Sequence, residues 1–259
     1  MKKIKLPKIN FSSPRLKSLS NKIFQNKAEK ILLELLDLEK ENPDDARIKQ
    51  KVAEIYYQKN QIDNAIQKYR EIVEYNEQKD FVLKAIKACK SILKIKPALI
   101  PYNIKLAALY IKQGMTNEAA NQYRIAINHY ANAGDLEKTV SLSQDLVKID
   151  PSNDNRAKLA EIYQNAGMTQ EAVSQYEILA KYYRANKDYE KLLFYYELIL
   201  PHKPDNKAIL KDICILHLRN QKPDRALKII NHYKVSEDPL FADLQTKAAL
   251  MTEALRKHK

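Results

Sequence analysis

The sequence predicts an all-α chain, an α-α superhelical solenoid whose helical hairpins repeat one design. Three observations carry that expectation. Residues 105–123, KLAALYIKQGMTNEAANQY, are closely copied once before and once after. Apolar residues recur at the spacing of helices rather than of strands. The whole chain also holds only three glycines, too few for a set of β-hairpins or a phosphate-cradling loop. With 259 residues, 45% of them hydrophobic, the chain is long enough to bury a sizeable core.

The repeated stretch reads as a hairpin of two helices. Leu106, Ala107 and Tyr110 share one face of the first, Gly114 marks the turn, and Thr116 caps the second, on which Ala119 and Tyr123 lie one turn apart. The two alanines let the helix axes approach closely while the tyrosines fill the space beside them. The copies match position by position. Leu106 corresponds to Val52, Leu159 and Ile213; Ala107 to Ala53, Ala160 and Cys214; Tyr110 to Tyr56, Tyr163 and His217; Gly114 to Asn60, Gly167 and Gln221. On the second helix Ala119 corresponds to Ala65, Ala172 and Ala226, and Tyr123 to Tyr69, Tyr176 and Ile230. Every series advances by 54, 53 and 54 residues. A single period held by independent positions indicates stacked helical units that bury their faces on their neighbours.

The order apolar, small, Tyr, Gly, Ala, aromatic and a closing proline is similar to the tetratricopeptide repeat, whose usual unit is about 34 residues. The resemblance implies stacked helix pairs and a role in holding other proteins. The unit here is longer. Between Ala119 and the closing Pro151 lies a further helix, DLEKTVSLSQDLVKIDP, and Tyr130 and Gly134 fall where an overlapping second copy would need them. The middle helix therefore serves two copies at once. Because three helices per unit is an odd number, strict alternation of inner and outer helices conflicts with the likeness of the first helices. Three-helix modules, or alternation with a likeness inherited by descent, both satisfy the sequence.

Taken in order, residues 1–27 hold eight Lys or Arg and no acidic residue, so most of the formal net charge of +13 lies in a basic N-terminal tail. The repeat body is by charge alone no nucleic-acid surface. Ser13 and Pro14 form a cap and first-turn proline, and Leu16, Leu19 and Ile23 continue at helical spacing, which predicts a short capping helix in this tail. From Ala28, AEKILLELLDLEKENP predicts an amphipathic helix ending at Pro43, and Pro43, Pro97, Pro151 and Pro204 keep the period, each stopping a helix before the next hairpin. First helices are expected at about 46–59, 100–113, 153–166 and 206–219, second helices at about 62–77, 116–132, 169–184 and 222–233, and third helices at about 80–95, 135–149 and 187–200. A last helix near 238–257, with a basic end suited to a helix C-terminus, closes the stack. No Gly- or Ser-rich linker interrupts 28–259, which is expected to form one repeat domain.

No apolar run approaches the ~18 residues of a membrane span. The N-terminal lysines are followed by no apolar block and no lipid-anchoring cysteine, so neither a secretory signal nor an anchor is expected. The default setting is cytoplasmic, with peripheral attachment to a membrane through the tail as the variant. Cys89 and Cys214 occupy positions held elsewhere by Ser143 and Tyr196 and by alanines, which reads as packing. His129, His202, His217, His232 and His258 show neither metal spacing nor a Ser or Cys partner. No catalytic residue, cofactor, metal or small-molecule substrate is expected.

Paired tyrosines such as Tyr182-Tyr183 and Tyr195-Tyr196, and Tyr57 beside Tyr56, cannot both face one core, so some are expected at the surface as partner contacts. The resemblance implies a concave groove lined by first helices, with the residues after the helix tyrosine pointing into it. Those are Tyr57 and Gln58, Ile111 and Lys112, and Gln164 and Asn165. Lys51, Lys105 and Lys158 recur in one phase and form a candidate ladder for an acidic ligand. Gln50 and Glu54 stand where a chaperone-tail-binding relative would carry its first Lys and Asn, so a terminal-carboxylate clamp is not expected. The expected function is a non-enzymatic adaptor or scaffold binding a partner peptide or helix. The alternative is a membrane- or nucleic-acid-associated protein anchored by Lys2, Lys3, Lys5 and Lys8.

Overall fold

The computed structural model describes the backbone of residues 14–257 and the side chains of residues 27–256, so Lys2, Lys3, Lys5 and Lys8 lie outside the described residues. Those residues form α1 (Pro14–Glu41), α2 (Ala46–Gln58), α3 (Ile62–Gln78), α4 (Val82–Ile95), α5 (Ile100–Lys112), α6 (Thr116–Asn132) and α7 (Leu136–Ile149). After them come α8 (Asn153–Asn165), α9 (Thr169–Ala185), α10 (Tyr189–Ile199), α11 (Lys207–Arg219), α12 (Pro223–His232) and α13 (Pro239–Lys257). Among the described residues there is no strand. First helices begin at Ala46, Ile100, Asn153 and Lys207.

The chain divides into two compact halves after His129, inside α6, where no Gly- or Ser-rich segment marks a boundary. In the first half α1 packs on α2, α2 on α3, α3 on α4 and α4 on α5. In the second half each helix from α7 to α13 packs on the one that follows, and α11 also touches α13. The small residues set these contacts. Ala53 and Ala65 are fully buried, as are Ala107 and Ala119, Ala160 and Ala172, and Cys214 and Ala226. In the last pair the Cys214 thiol reaches the Ala226 carbonyl at 3.8 Å. Small side chains at these positions let two helix backbones come close.

The turns repeat as strictly as the helices. Asn60, Asp80, Gly114, Gly134, Gly167, Lys187, Gln221 and Lys234 each adopt a left-handed conformation with φ between +54° and +73°. The amide after each of them donates to the carbonyl five residues earlier, as in Gln61 to Tyr56 (2.8 Å), Met115 to Tyr110 (2.9 Å) and Asp188 to Tyr183 (3.0 Å). This is the Schellman closure, which satisfies carbonyls left over at the end of one helix while reversing the chain into the next. Glycine meets the φ requirement without strain at three of the turns; Asn, Asp, Gln and Lys bear it at the others.

Helix α1 departs from the sequence expectation. A capping helix in the tail and a second helix from Ala28 were expected; one 28-residue helix spans both and runs unbroken through the 27/28 boundary. Neither glycine nor proline lies between Pro14 and Pro43 to stop it. Its C-terminal part is fastened by charge. The Glu39 carboxylate is 7% exposed and accepts from Lys49 (3.1 Å) on α2 and Lys68 (2.8 Å) on α3. Both lysines also reach Glu71, at 2.8 and 3.2 Å. Burial pushes the Glu39 carboxyl up, but the hydrogen bonds from Lys68 and Lys49 outweigh it and hold the group below its ordinary value of 4.5.

Three outcomes are expected. A carboxyl depressed by folding contributes stability above its unfolded pKa and loses it as pH falls through the folded value. Glu39→Gln should therefore lower stability at pH 7 by about 1–3 kcal/mol and flatten the decline seen in wild type as the pH drops below 4.5, read from urea midpoints across pH. At the turns, Gly134→Ala should destabilise by about 1–2 kcal/mol, since open space surrounds the site and only backbone strain acts. Lys187→Gly should stabilise by a few tenths to about 1 kcal/mol. A reversed sign in either midpoint would refute the account of the turns.

Candidate functional site

A groove runs along the first half, walled by α2 and α4 with α3 as its floor. It consists of three clefts that share lining residues. The first, about 600 Å³, lies at the start of α2 and α4 between Asp45 and Lys84, with Tyr75 and Phe81 beside it. The second, about 290 Å³, lies between Arg47 and Gln50 on one wall and Lys87, Ala88 and Ser91 on the other, over Tyr69, Ile72 and Asn76. The third, about 340 Å³, continues past Glu54, Tyr57 and Gln58 to Lys94 and Ile95. Asn76 belongs to the first and second clefts, and Gln50, Tyr69 and Ser91 to the second and third.

The repeat explains why this groove is open. Two periods later, α8, α9 and α10 stand where α2, α3 and α4 stand in the first half. There Tyr195 takes the place of Ala88 and Tyr183 that of Asn76. Tyr183 and Tyr195 stack with ring centroids 5.6 Å apart and planes within 6°, and Tyr195 also lies 6.0 Å from Tyr176, the counterpart of Tyr69. All three rings are buried. In the second half aromatic rings therefore occupy the space that an alanine methyl and a short amide leave free in the first. The counterpart of the first cleft persists there as a hollow of about 450 Å³ near Ser152, Tyr182 and Lys191.

Of the residues expected in a groove, Tyr57 and Gln58 line it, at the end of α2, and Tyr57 is 48% exposed. Ile111 and Lys112 are exposed at the end of α5, and Gln164 and Asn165 at the end of α8; neither pair belongs to these clefts. Lys51 and Lys158 are exposed on α2 and α8. Lys105 is engaged by Glu77 at 2.7 Å, a contact between α5 and α3. Two periods on, the same two positions are Asp212 and Arg184, and they also form an ion pair. The position keeps a bridge between alternate helices and lets its sign reverse.

The paired tyrosines resolve differently from one another. Tyr182 is exposed and Tyr183 buried, whereas Tyr195 and Tyr196 are both buried. A helix held between two neighbours hides two faces: Tyr195 turns to α9, and the Tyr196 hydroxyl meets Asp212 of α11 at 3.4 Å. His217 replaces the tyrosine of the other first helices, is buried, and has its imidazole pushed below the ordinary range by burial. Burial raises the Cys89 thiol to about 12 and the Cys214 thiol to about 11, which keeps both protonated and unreactive near neutral pH.

Sequence reasoning missed the α4 wall and the floor. Helix α4, VLKAIKACKSILKI, carries four lysines and no acidic residue. Lys84, Lys87, Ser91 and Lys94 recur at helical spacing along the groove. The signal lay in the repeat columns, where Asn76 faces Tyr130 and Tyr183, and Ala88 faces Leu142 and Tyr195. A missing aromatic in a periodic column is a hole in the packing.

Comparison with known proteins agrees with the repeat. The sequence profile of the tetratricopeptide repeat matches residues 104–133 and 158–192, the hairpins α5–α6 and α8–α9 with the start of α10. The chain thus carries tetratricopeptide repeats. No curated protein matches the sequence. Solved structures with which it aligns include MamA (18% identity over 72% of this chain and 97% of the other, TM-score 0.23). Others are BtubC from P. vanneervenii (15%, 81% and 87%, TM-score 0.32) and the TPR domain of P58(IPK) (13%, 93% and 98%, TM-score 0.27).

If the ring stack is what closes the second half, Tyr195→Ala should lower its stability by about 3 kcal/mol or more, the range for emptying an aromatic site. The parallel change Ala88→Gly in the first half should have a much smaller effect. Equal losses in thermal or urea unfolding would show that the stack does not fill a void.

Proposed function

We propose that this tetratricopeptide-repeat protein is a non-enzymatic interaction scaffold that holds a segment of another protein in the α2–α3–α4 groove. The observation that carries the reading is the contrast between equivalent sites: one face of the repeat is open over Tyr69 where Asn76 and Ala88 are small, and its counterpart is packed with tyrosine. A fold stabilised by filling such spaces loses packing energy at an unfilled one, and a ligand segment supplies the missing contacts. Groove length agrees with a peptide. The 13 residues of α2 span about 20 Å at the helical rise, room for about six residues of extended chain. Tyr57, half exposed at one end, and Phe81, 46% exposed near the other, supply apolar contact surface of the kind found at interface anchors. The Tyr69 hydroxyl, raised by burial and by nearby Glu54, stays protonated at neutral pH and lies beside Ser91 on the opposite wall.

The test is to place the second half's residue in the first. Ala88→Tyr should abolish retention of the protein's partner from a lysate of its own cell, while thermal unfolding stays within a few degrees of wild type. Should Ala88→Tyr fail to fold, Ser91→Trp blocks the groove from its half-buried rim. Undiminished capture of the same partner by a folded, groove-filled variant would reject the reading.

A further inference from the structure

We infer that the segment held in this groove is acidic. The inference rests on the groove reading above and concerns the chemistry of its occupant. Along the α4 wall, Lys84, Lys87 and Lys94 face the clefts with no ion-pair partner among the described residues. By contrast Lys49 and Lys68, on the neighbouring helices of the same half, are bonded to carboxylates. Lys84 instead rests on the Phe81 ring at 4.4 Å, and its charge is left for a ligand. No acidic residue of α4 offsets the row. Across the groove Arg47 stands against Asp45, and Glu54, the acidic residue of the deeper clefts, accepts from Gln50 at 2.8 Å.

Charge and openness coincide in one half only. In the second half the positions of Lys87 and Lys94 are Phe194 and Pro201, and that of Arg47 is Asp154. The counterpart of Lys84 is Lys191, which faces Asp188 at 3.6 Å, so where tyrosines close the groove only this one paired member of the row remains.

The occupant is a peptide of another protein, and two observations point to it. The terminal segments of this sequence have the wrong sign: residues 1–27 hold no acidic side chain, and residues 255–259 are LRKHK. A ligand of phosphates alone also fits poorly, because the floor carries an acceptor. Asn76 is 1% exposed, donates its amide to the Ile72 carbonyl at 2.7 Å, and leaves its Oδ1 buried with no donor. A buried orphan acceptor is satisfied by an N–H, which a peptide backbone supplies and a phosphodiester does not. Carboxylates on the segment pair with the lysines at the rim, and its backbone or an apolar side chain covers Tyr69 and Ile72.

A random dodecapeptide phage library selected on immobilised full-length protein tests this directly, with selected peptides then synthesised and measured by fluorescence anisotropy. The expected result is a set rich in Asp and Glu, whose affinity falls about tenfold or more in Lys84→Gln/Lys87→Gln/Lys94→Gln. Binding should also weaken with added salt and be lost in Ala88→Tyr. Asn76→Leu should weaken the same peptides without changing the salt dependence. Neutral or basic peptides that Ala88→Tyr blocks but the triple variant still binds would overturn the acidic inference and leave the groove standing. Acidic peptides indifferent to Ala88→Tyr would remove the groove reading and this inference with it. Oligouridylate or heparin binding as tightly as the selected peptides, with the same lysine dependence, would overturn the inference in favour of a general polyanion site, and a selection that yields no groove-dependent acidic binder would also overturn it.

Discussion

Close contact between successive helices is the constraint on which the molecule depends. Ala53 and Ala65, Ala107 and Ala119, Ala160 and Ala172, and Cys214 and Ala226 are all buried, and small residues at such positions let two helix backbones approach to a distance that a larger side chain forbids. Once the axes are that close, the residues flanking each crossing are pressed into neighbouring columns, and the tyrosines of the period become spacers whose rings set how the next helix lies. The eight left-handed turns work in the same direction. A Schellman closure reverses the chain within three residues, so a helix has no slack with which to avoid its neighbour.

Such a stack is intolerant of substitution at the crossings and permissive in the columns beside them. The permissiveness is where the two halves differ. Tyr195 and Tyr183 close one face in the second half; Ala88 and Asn76 leave the equivalent face open in the first. Since the alanine crossings are the same in both, the difference changes a surface without changing the scaffold, which is how a repeat architecture acquires a site. The exposed lysines of α4 follow the same logic. A helix whose one face is needed for packing on α3 and α5 has its remaining face free to carry any charge.

Ion pairs show which charges hold helices together. Lys105 with Glu77, and Asp212 with Arg184, link alternate helices at one position of the period with the signs exchanged. What is retained is opposite charge, not lysine. The Glu39 network does related work at the N-terminal end, where α1 has a following neighbour and is secured to both α2 and α3 by two lysines shared with Glu71. A buried carboxylate with two cationic partners fixes the register of a helix whose apolar residues, Ile31, Leu33 and Leu38 among them, extend to its exposed side.

The sequence by itself determined the helices, because each is a local affair: apolar spacing and proline stops place their ends within a residue or two of where they stand, as at α2, α5 and α8. It also determined which residues are buried, since Ala107 and Ala119, and likewise Tyr69 and Tyr176, are assigned to the core by a period that needs no coordinates. One boundary failed, between the tail and Ala28, because nothing in the sequence breaks the helix there. Tertiary structure alone decided the groove. Of the residues that line the clefts, the sequence singled out Tyr57 and Gln58 but not Lys84, Lys87 and Lys94, because the openness of a cleft is a volume shared by α2, α3 and α4. It also decided that Lys105 is bound to Glu77, a partner 28 residues away on a helix that it meets only when the stack has formed. Local rules fix what a segment becomes; what it leaves exposed depends on its neighbours.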